Sequence, residues 1–210
     1  MKLPALPPQD QEPTADLRQR AERGEASAQL ALGLHHHGGN VASRNDVEAL
    51  KWFSLAAAQG HPAAQFCLAS LYDAGCGLPR DSGQALQWYR KAADQGFPLA
   101  QFNVGIIYLA GEDVARDPTE AARWFRLAAE RHLPVAQYNL GCLYAKGEGV
   151  PQDLCEAYAW FTVAVFNRYA ASVSTRDAVA AQLDAVRLSQ AQARGDRYIA
   201  QYGRPPESRH

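Results

Sequence analysis

No apolar run in this 210-residue chain approaches the roughly 20 residues that a membrane span requires. Neither sign of charge is in excess: 21 lysines and arginines stand against 22 aspartates and glutamates. Nothing in that balance points to nucleic acid or to an anionic membrane as partner. The N-terminal MKLPALPPQDQEP has a lysine but no apolar stretch behind it, so no secretory signal is read there. The expectation is a cytoplasmic protein, or a periplasmic one if a leader has been removed. Cysteine is sparse, and Cys67, Cys76, Cys142 and Cys155 show neither CxxC spacing nor a second set of zinc ligands. Ser-x-x-Lys, Gly-x-Ser-x-Gly, His-Glu-x-x-His and a phosphate-cradling Gly-rich loop are all absent. The chain is therefore not expected to be an enzyme, and no catalytic residue, metal or cofactor is assigned to it.

What is present is a repeat. Ala-Gln recurs as Ala28-Gln29, Ala64-Gln65, Ala100-Gln101 and Ala136-Gln137, each pair 36 residues after the last. Tryptophan keeps the same step at Trp52, Trp88, Trp124 and Trp160. Two markers holding one period without slippage rule out coincidence, and a helical period of 30–40 residues means a solenoid. The fold class expected is all-α: a right-handed α/α superhelical solenoid of four 36-residue helix-turn-helix repeats with capping helices at both ends.

Each copy reads as two helices. In the third, Leu99–Ala110 is helix A, closed by Gly111 in the register of Gly39, Gly75 and Gly147. Gly105, repeated as Gly33 and Gly141 with Ala69 in the second copy, sits inside helix A. Interior glycine costs about 1 kcal/mol relative to alanine, so its retention implies a neighbour packed too close for a side chain. Asn45, Asp81, Asp117 and Asp153 are placed to cap helix B. Helix B then carries a broad apolar stripe, in copy three Ala121, Ala122, Trp124, Phe125, Ala128 and Ala129. The tryptophans read as inter-repeat packing rather than ligand stacking. Gly60 and Gly96 end helix B; His132 and Arg168 take that register later, while Pro62, Pro98 and Pro134 open the next helix A.

The expected layout is a flexible Pro-rich lead-in over 1–13, an N-terminal capping helix over 14–26 with Thr14 as its N-cap, and four repeats over 27–168 (27–62, 63–98, 99–134, 135–168). C-terminal capping helices follow over 169–202, roughly 172–182 and 184–201 with Asp184 capping the second, and then a disordered tail over 203–210. Val179, Leu183, Val186 and Ile199 are expected to cover the last repeat. His35, His36 and His37 look like a metal cluster, but neighbours on a helix point about 100° apart and do not converge on one ion. Drift in a terminal repeat is the favoured reading, since His36 stands where the other copies have Tyr72, Tyr108 and Tyr144.

The segment AQYNLGCLYAKGEGVPQDLCEAYAWFTVA (136–164) strongly resembles the Sel1-like repeat, a relative of the tetratricopeptide repeat, and all four copies match its pattern. The resemblance implies a non-enzymatic adaptor or scaffold that binds a peptide or protein in a concave groove lined by the A helices. An immunity protein neutralising a cognate toxin is the alternative. A β-lactamase or penicillin-binding hydrolase, as claimed for cysteine-rich relatives, is a third reading. Those relatives carry a regular cysteine pair in every copy, whereas copies one and three here have none, so free thiols in a reducing compartment are expected. The partner is expected to be a protein, with no nucleic acid and no membrane span, and the chain a monomer. The informative positions are those of helix A that vary between copies: Ala31, Cys67, Asn103, Asn139, and one turn on Leu34, Ser70, Ile106, Cys142. The candidate partner-binding residues are Leu34, Ser70, Asn103, Ile106, Asn139 and Cys142. Asn103 and Asn139 would offer paired amides to an extended peptide.

Overall fold

The computed structural model of the chain describes residues 15–38 and 44–203. The lead-in over 1–13, the Thr14 cap, the Gly39 cap and the tail beyond Gly203 lie outside the described residues. Among those described there are eleven helices and no strand. They form two compact units, Met1–Phe97 and Pro98–His210.

The first unit holds α1 (Ala15–Glu22), α2 (Ala26–Gly38), α3 (Asp46–Ala58), α4 (Pro62–Ala74) and α5 (Ser82–Asp94). The second holds α6 (Pro98–Ala110), α7 (Pro118–Glu130), α8 (Pro134–Lys146), α9 (Leu154–Phe166), α10 (Ser172–Ala180) and α11 (Ala185–Tyr202). Helices α2, α4, α6 and α8 are the A helices; α3, α5, α7 and α9 are the B helices, and all eight have 13 residues. Their ends follow from local chemistry. Asn45, Asp81, Asp117 and Asp153 accept from backbone N–H groups in the first turn of each B helix, satisfying donors the helix itself leaves open. Gly75 and Gly147 end α4 and α8 in the left-handed region at φ 68° and 70°.

Within each repeat the A and B helices pack as an antiparallel pair, and the reason for the interior glycine is an aromatic ring. A Cβ on Gly105 would stand 2.6 Å from Phe125 Cε1, and one on Gly141 2.7 Å from Phe161 Cε1. Phe53 faces Gly33 in the same way. These rings are wholly buried, so the column Phe53, Tyr89, Phe125, Phe161, one residue after each tryptophan, is the centre of each helix pair. In the second copy the alanine at position 69 coincides with Tyr89 in place of phenylalanine.

The recurring Ala-Gln has an equally specific role. Gln29, Gln65 and Gln137 are buried. Each donates through Nε2 to a carbonyl eight residues earlier, at the end of the preceding helix: Ala21 (3.1 Å), Ala57 (3.3 Å) and Ala129 (3.0 Å). Each also accepts at Oε1 from its own B helix's end, from Gln59 (2.7 Å), Gln95 (2.7 Å) and Asn167 (2.9 Å). A buried amide with one group unpaired would cost about 1–3 kcal/mol; here both groups are used, so the glutamine ties one repeat to the next.

Trp124 and Trp160 are core residues. Trp52 and Trp88 are only half-buried, with Lys51 and Lys91 ammonium groups 5.1 and 3.7 Å from their rings. The packing assignment thus fits the second unit's pair better than the first's. At the chain's end α10 and α11 both pack on α9. Val179 and Leu183 are buried there and Ile199 half-buried, but Val186 is 68 % exposed and covers nothing; it lies in the first turn of α11, off the seam that meets α9.

Candidate binding surfaces

The six candidate residues divide between the units. Leu34 on α2 and Ser70 on α4 belong to the first, both half-buried. Asn103 and Ile106 on α6, and Asn139 and Cys142 on α8, belong to the second. On α6, Asn103 is half-buried and Ile106 is 38 % exposed, one turn apart on the same face. On α8, Asn139 donates through Nδ2 to its own helix at Val135 O (2.8 Å), leaving its amide oxygen as the group to offer. Cys142 packs with Tyr138 against Ala157, Phe161 and Val179, so α10 borders it, and burial raises its thiol pKa. Ser70 Oγ donates to Phe66 O (3.0 Å) and lies 3.0 Å from the Tyr89 hydroxyl, which ties it to helix B.

The other polar clusters are structural in geometry. His37 Nδ1 lies 2.9 Å from Asp46 Oδ1, and Arg44 pairs with the same carboxylate. His35 and His36 rings meet edge to face at 5.5 Å. Among the described residues no three His, Cys, Asp or Glu side chains are grouped to hold a metal ion. The four cysteines are free thiols, and burial pushes Cys67 up to about 12. Cys76 Sγ accepts from the Arg44 guanidinium at 3.3 Å. Among the described residues no helix is long and apolar enough to cross a membrane.

One constellation escaped the reading of the sequence. Glu156 on α9 is buried and accepts from Trp160 Nε1 (3.1 Å), Tyr198 hydroxyl (2.7 Å) and Arg194 (2.9 Å). Arg194 also reaches Asp153 at 3.2 Å. Trp160 stacks on Tyr202 with centroids 5.2 Å apart and meets Tyr198 at 4.9 Å. The Tyr202 carbonyl at the end of α11 accepts from His132 (3.0 Å), Asn167 (3.2 Å) and Gln137 (3.3 Å). The signal available was a glutamate four residues before tryptophan, on the buried side of the helix. Burial works against the ionised Asp153, but the Glu156 N–H and Arg194 outweigh it and hold that carboxyl below the usual carboxylate range.

Comparison with known proteins places this architecture. The Sel1 repeat profile matches four times, over residues 26–61, 62–97, 98–132 and 134–165. A Sel1 repeat protein from Oxalobacter formigenes is 34 % identical with TM-score 0.71, the match covering 78 % of this chain and 47 % of that one. The c5321 protective antigen of uropathogenic Escherichia coli, which displays an SLR fold, is 32 % identical with TM-score 0.58, over 89 % of this chain and 48 % of its own. The chain thus spans about half the length of these two solved relatives. The immunity protein Pa5087 of Pseudomonas aeruginosa shares the fold at 17 % identity and TM-score 0.50, over 95 % and 83 % of the two chains. No curated protein matches the chain significantly. Sel1-repeat proteins generally mediate protein–protein interaction and are typically non-catalytic scaffolds. With four matched copies filling most of its length, this chain belongs to the Sel1-repeat family.

Proposed function

We propose that the chain is a non-enzymatic adaptor that holds a protein or peptide partner on the outward faces of its A helices. The observation that carries this reading is the pairing of Asn103 and Ile106 on α6. Around them the recurring alanines, glutamines, glycines and aromatic rings are consumed by packing. Ile106 is left partly in water beside an amide, an apolar contact next to a group that fixes a backbone. Peptide-binding surfaces combine those two features. In the second unit Asn139 and Cys142 extend the face on α8, and in the first unit Leu34 and Ser70 occupy the corresponding places on α2 and α4.

The test is capture from native lysate with wild type and an Asn103→Ala/Asn139→Ala/Ile106→Glu variant that melts like wild type. One abundant partner, lost in the variant, is the expected result. A partner retained by the variant would move the site off the A helices. A second reading, an immunity protein that neutralises a toxic enzyme, is supported by the fold shared with Pa5087. Its mark is tight binding to the product of a neighbouring gene together with loss of that product's activity.

A further inference from the structure

The fourth copy of the repeat displays what its B helix binds, and in the first copy the same registers leave Val47 and Leu55 exposed while Trp52 packs only in part, on Ala21, Ala28 and Leu32. On α9 the contacts to α11 run along one stripe. Cys155 packs on Ala191, Glu156 takes Arg194 and Tyr198, Trp160 takes Tyr198 and Tyr202, and Thr162 lies against Gly195. Three periods earlier, 108 residues back in the sequence, α3 has Val47, Glu48, Trp52 and Ser54 in those registers, with Leu55 where α9 has Val163. Cys155, which packs on Ala191 of α11, is buried, and so is Val163; on α3, Val47 is 64 % and Leu55 44 % exposed. They are the only large hydrophobics so exposed among the described residues of the first unit. The polar groups match as well. Glu48 stands four residues before Trp52 as Glu156 stands before Trp160, but among the described residues its carboxylate pairs with the exposed Lys51 at 3.7 Å, where Glu156 takes three close donors. The second copy lacks this pattern, with Gly83, Gln84 and Lys91 in the registers of Val47, Glu48 and Leu55.

We infer that the α3 face of the first unit is a docking site for an amphipathic helix supplied by a partner protein, seated as α11 is seated on α9. The chemistry of that helix is set by the template: an arginine, an aromatic residue four positions on and a second aromatic four further, as in Arg194, Tyr198 and Tyr202, with a small residue such as Gly195 in the seam. The arginine answers Glu48, the aromatics answer Trp52, and the seam lies over Val47 and Leu55. Helix-in-groove recognition by anchors one turn apart is a common mode of partner binding. This surface is separate from the A-helix face and stands whether or not that face binds.

The probe is a synthetic peptide of residues 184–203, labelled and titrated into the intact chain. Saturable binding is expected, weakened roughly tenfold or more by Leu55→Glu, which puts a charge where apolar contact is made. A Tyr198→Ala/Tyr202→Ala peptide should lose binding to the same degree, while Ile106→Glu in the protein should leave it unchanged. Should Leu55→Glu fail to fold, Val47→Lys at the more exposed position replaces it. Absence of saturable binding, or binding that neither α3 substitution moves, overturns the proposal. Self-association of the chain that Leu55→Glu abolishes would also overturn it, by seating a second copy on the face.

Discussion

The first and fourth copies of the repeat share a register and differ in fate. Both have tryptophan preceded at four residues by glutamate, and both follow it with phenylalanine against a helix-A glycine. Phe53 and Phe161 are wholly buried alike, because their ring meets its own A helix. The tryptophans part company: Trp160 is closed under Tyr198 and Tyr202, while Trp52 is half-open beneath Lys51. The repeat therefore dictates what happens inside a helix pair, and whatever lies against the B helix decides the rest.

That difference is open to direct attack. Replacing Trp160 with alanine should cost about 3–5 kcal/mol, the range for truncating a large core aromatic. Trp52→Ala should cost less, about 2 kcal/mol, since part of its surface already meets water. Urea unfolding of the two variants reads both values. Equal losses would mean that α11 adds nothing to the burial of Trp160.

Glu156→Ala comes next, at roughly 2–4 kcal/mol, because it strands the Trp160 and Tyr198 donors and takes from Arg194 its nearer carboxylate. Glu48→Ala should stay within about 0.5 kcal/mol, as for an exposed pair. Acid should act on the same seat. The folded pKa of Asp153 is depressed, so its contribution is fully present above the ordinary carboxylate value near 4 and is lost as pH falls through the lower folded value. Tryptophan fluorescence across that window should therefore change for wild type and less for Asp153→Asn.

Gly141→Ala tests the helix pair itself. The new methyl would press on Phe161, and overpacking costs about 1–3 kcal/mol, partly offset by the better helix propensity of alanine. A neutral result, read from the same unfolding curves, would show that the ring gives way.

How legible this was depends on whether a feature repeats. The helices and their Asx caps followed from local chemistry written four times, at Asn45, Asp81, Asp117 and Asp153. The Phe/Tyr column was harder to single out because Tyr89 breaks it and the invariant tryptophan beside it draws attention. At Asn139 position alone does not show which groups are offered outward, since an asparagine inside a helix can turn its amide back on its own backbone, as it does at Val135. The seat of α11 was illegible for a different reason. It occurs once, and its glutamate and tryptophan on α9 lie some 40 residues from the tyrosines of α11 that meet them.

The subtlest difference between copies lies in the backbone where each B helix ends. Gly60 and Gly96 turn the chain there at φ 86° and 84°, and the same register in the later copies forces His132 to 60° and Arg168 to 66°. A residue with a Cβ pays roughly 1–2 kcal/mol for that conformation. Arg168→Gly removes the strain but lets the unfolded chain gain freedom, so the net gain should be about 0.5–1 kcal/mol, or a rise of roughly 2 °C in Tm at this size. His132→Gly relieves the same strain, yet it also deletes the ring contact to the Tyr202 carbonyl. A neutral hydrogen bond is worth about 0.5–1.5 kcal/mol, so that variant should melt within a degree of wild type. If both glycines raise Tm alike, His132 contributes nothing to anchoring α11, and the histidine is strain without return. If Arg168→Gly is neutral while His132→Gly lowers Tm, the anchor on Tyr202 is worth more than the turn costs, and α11 is held from both ends.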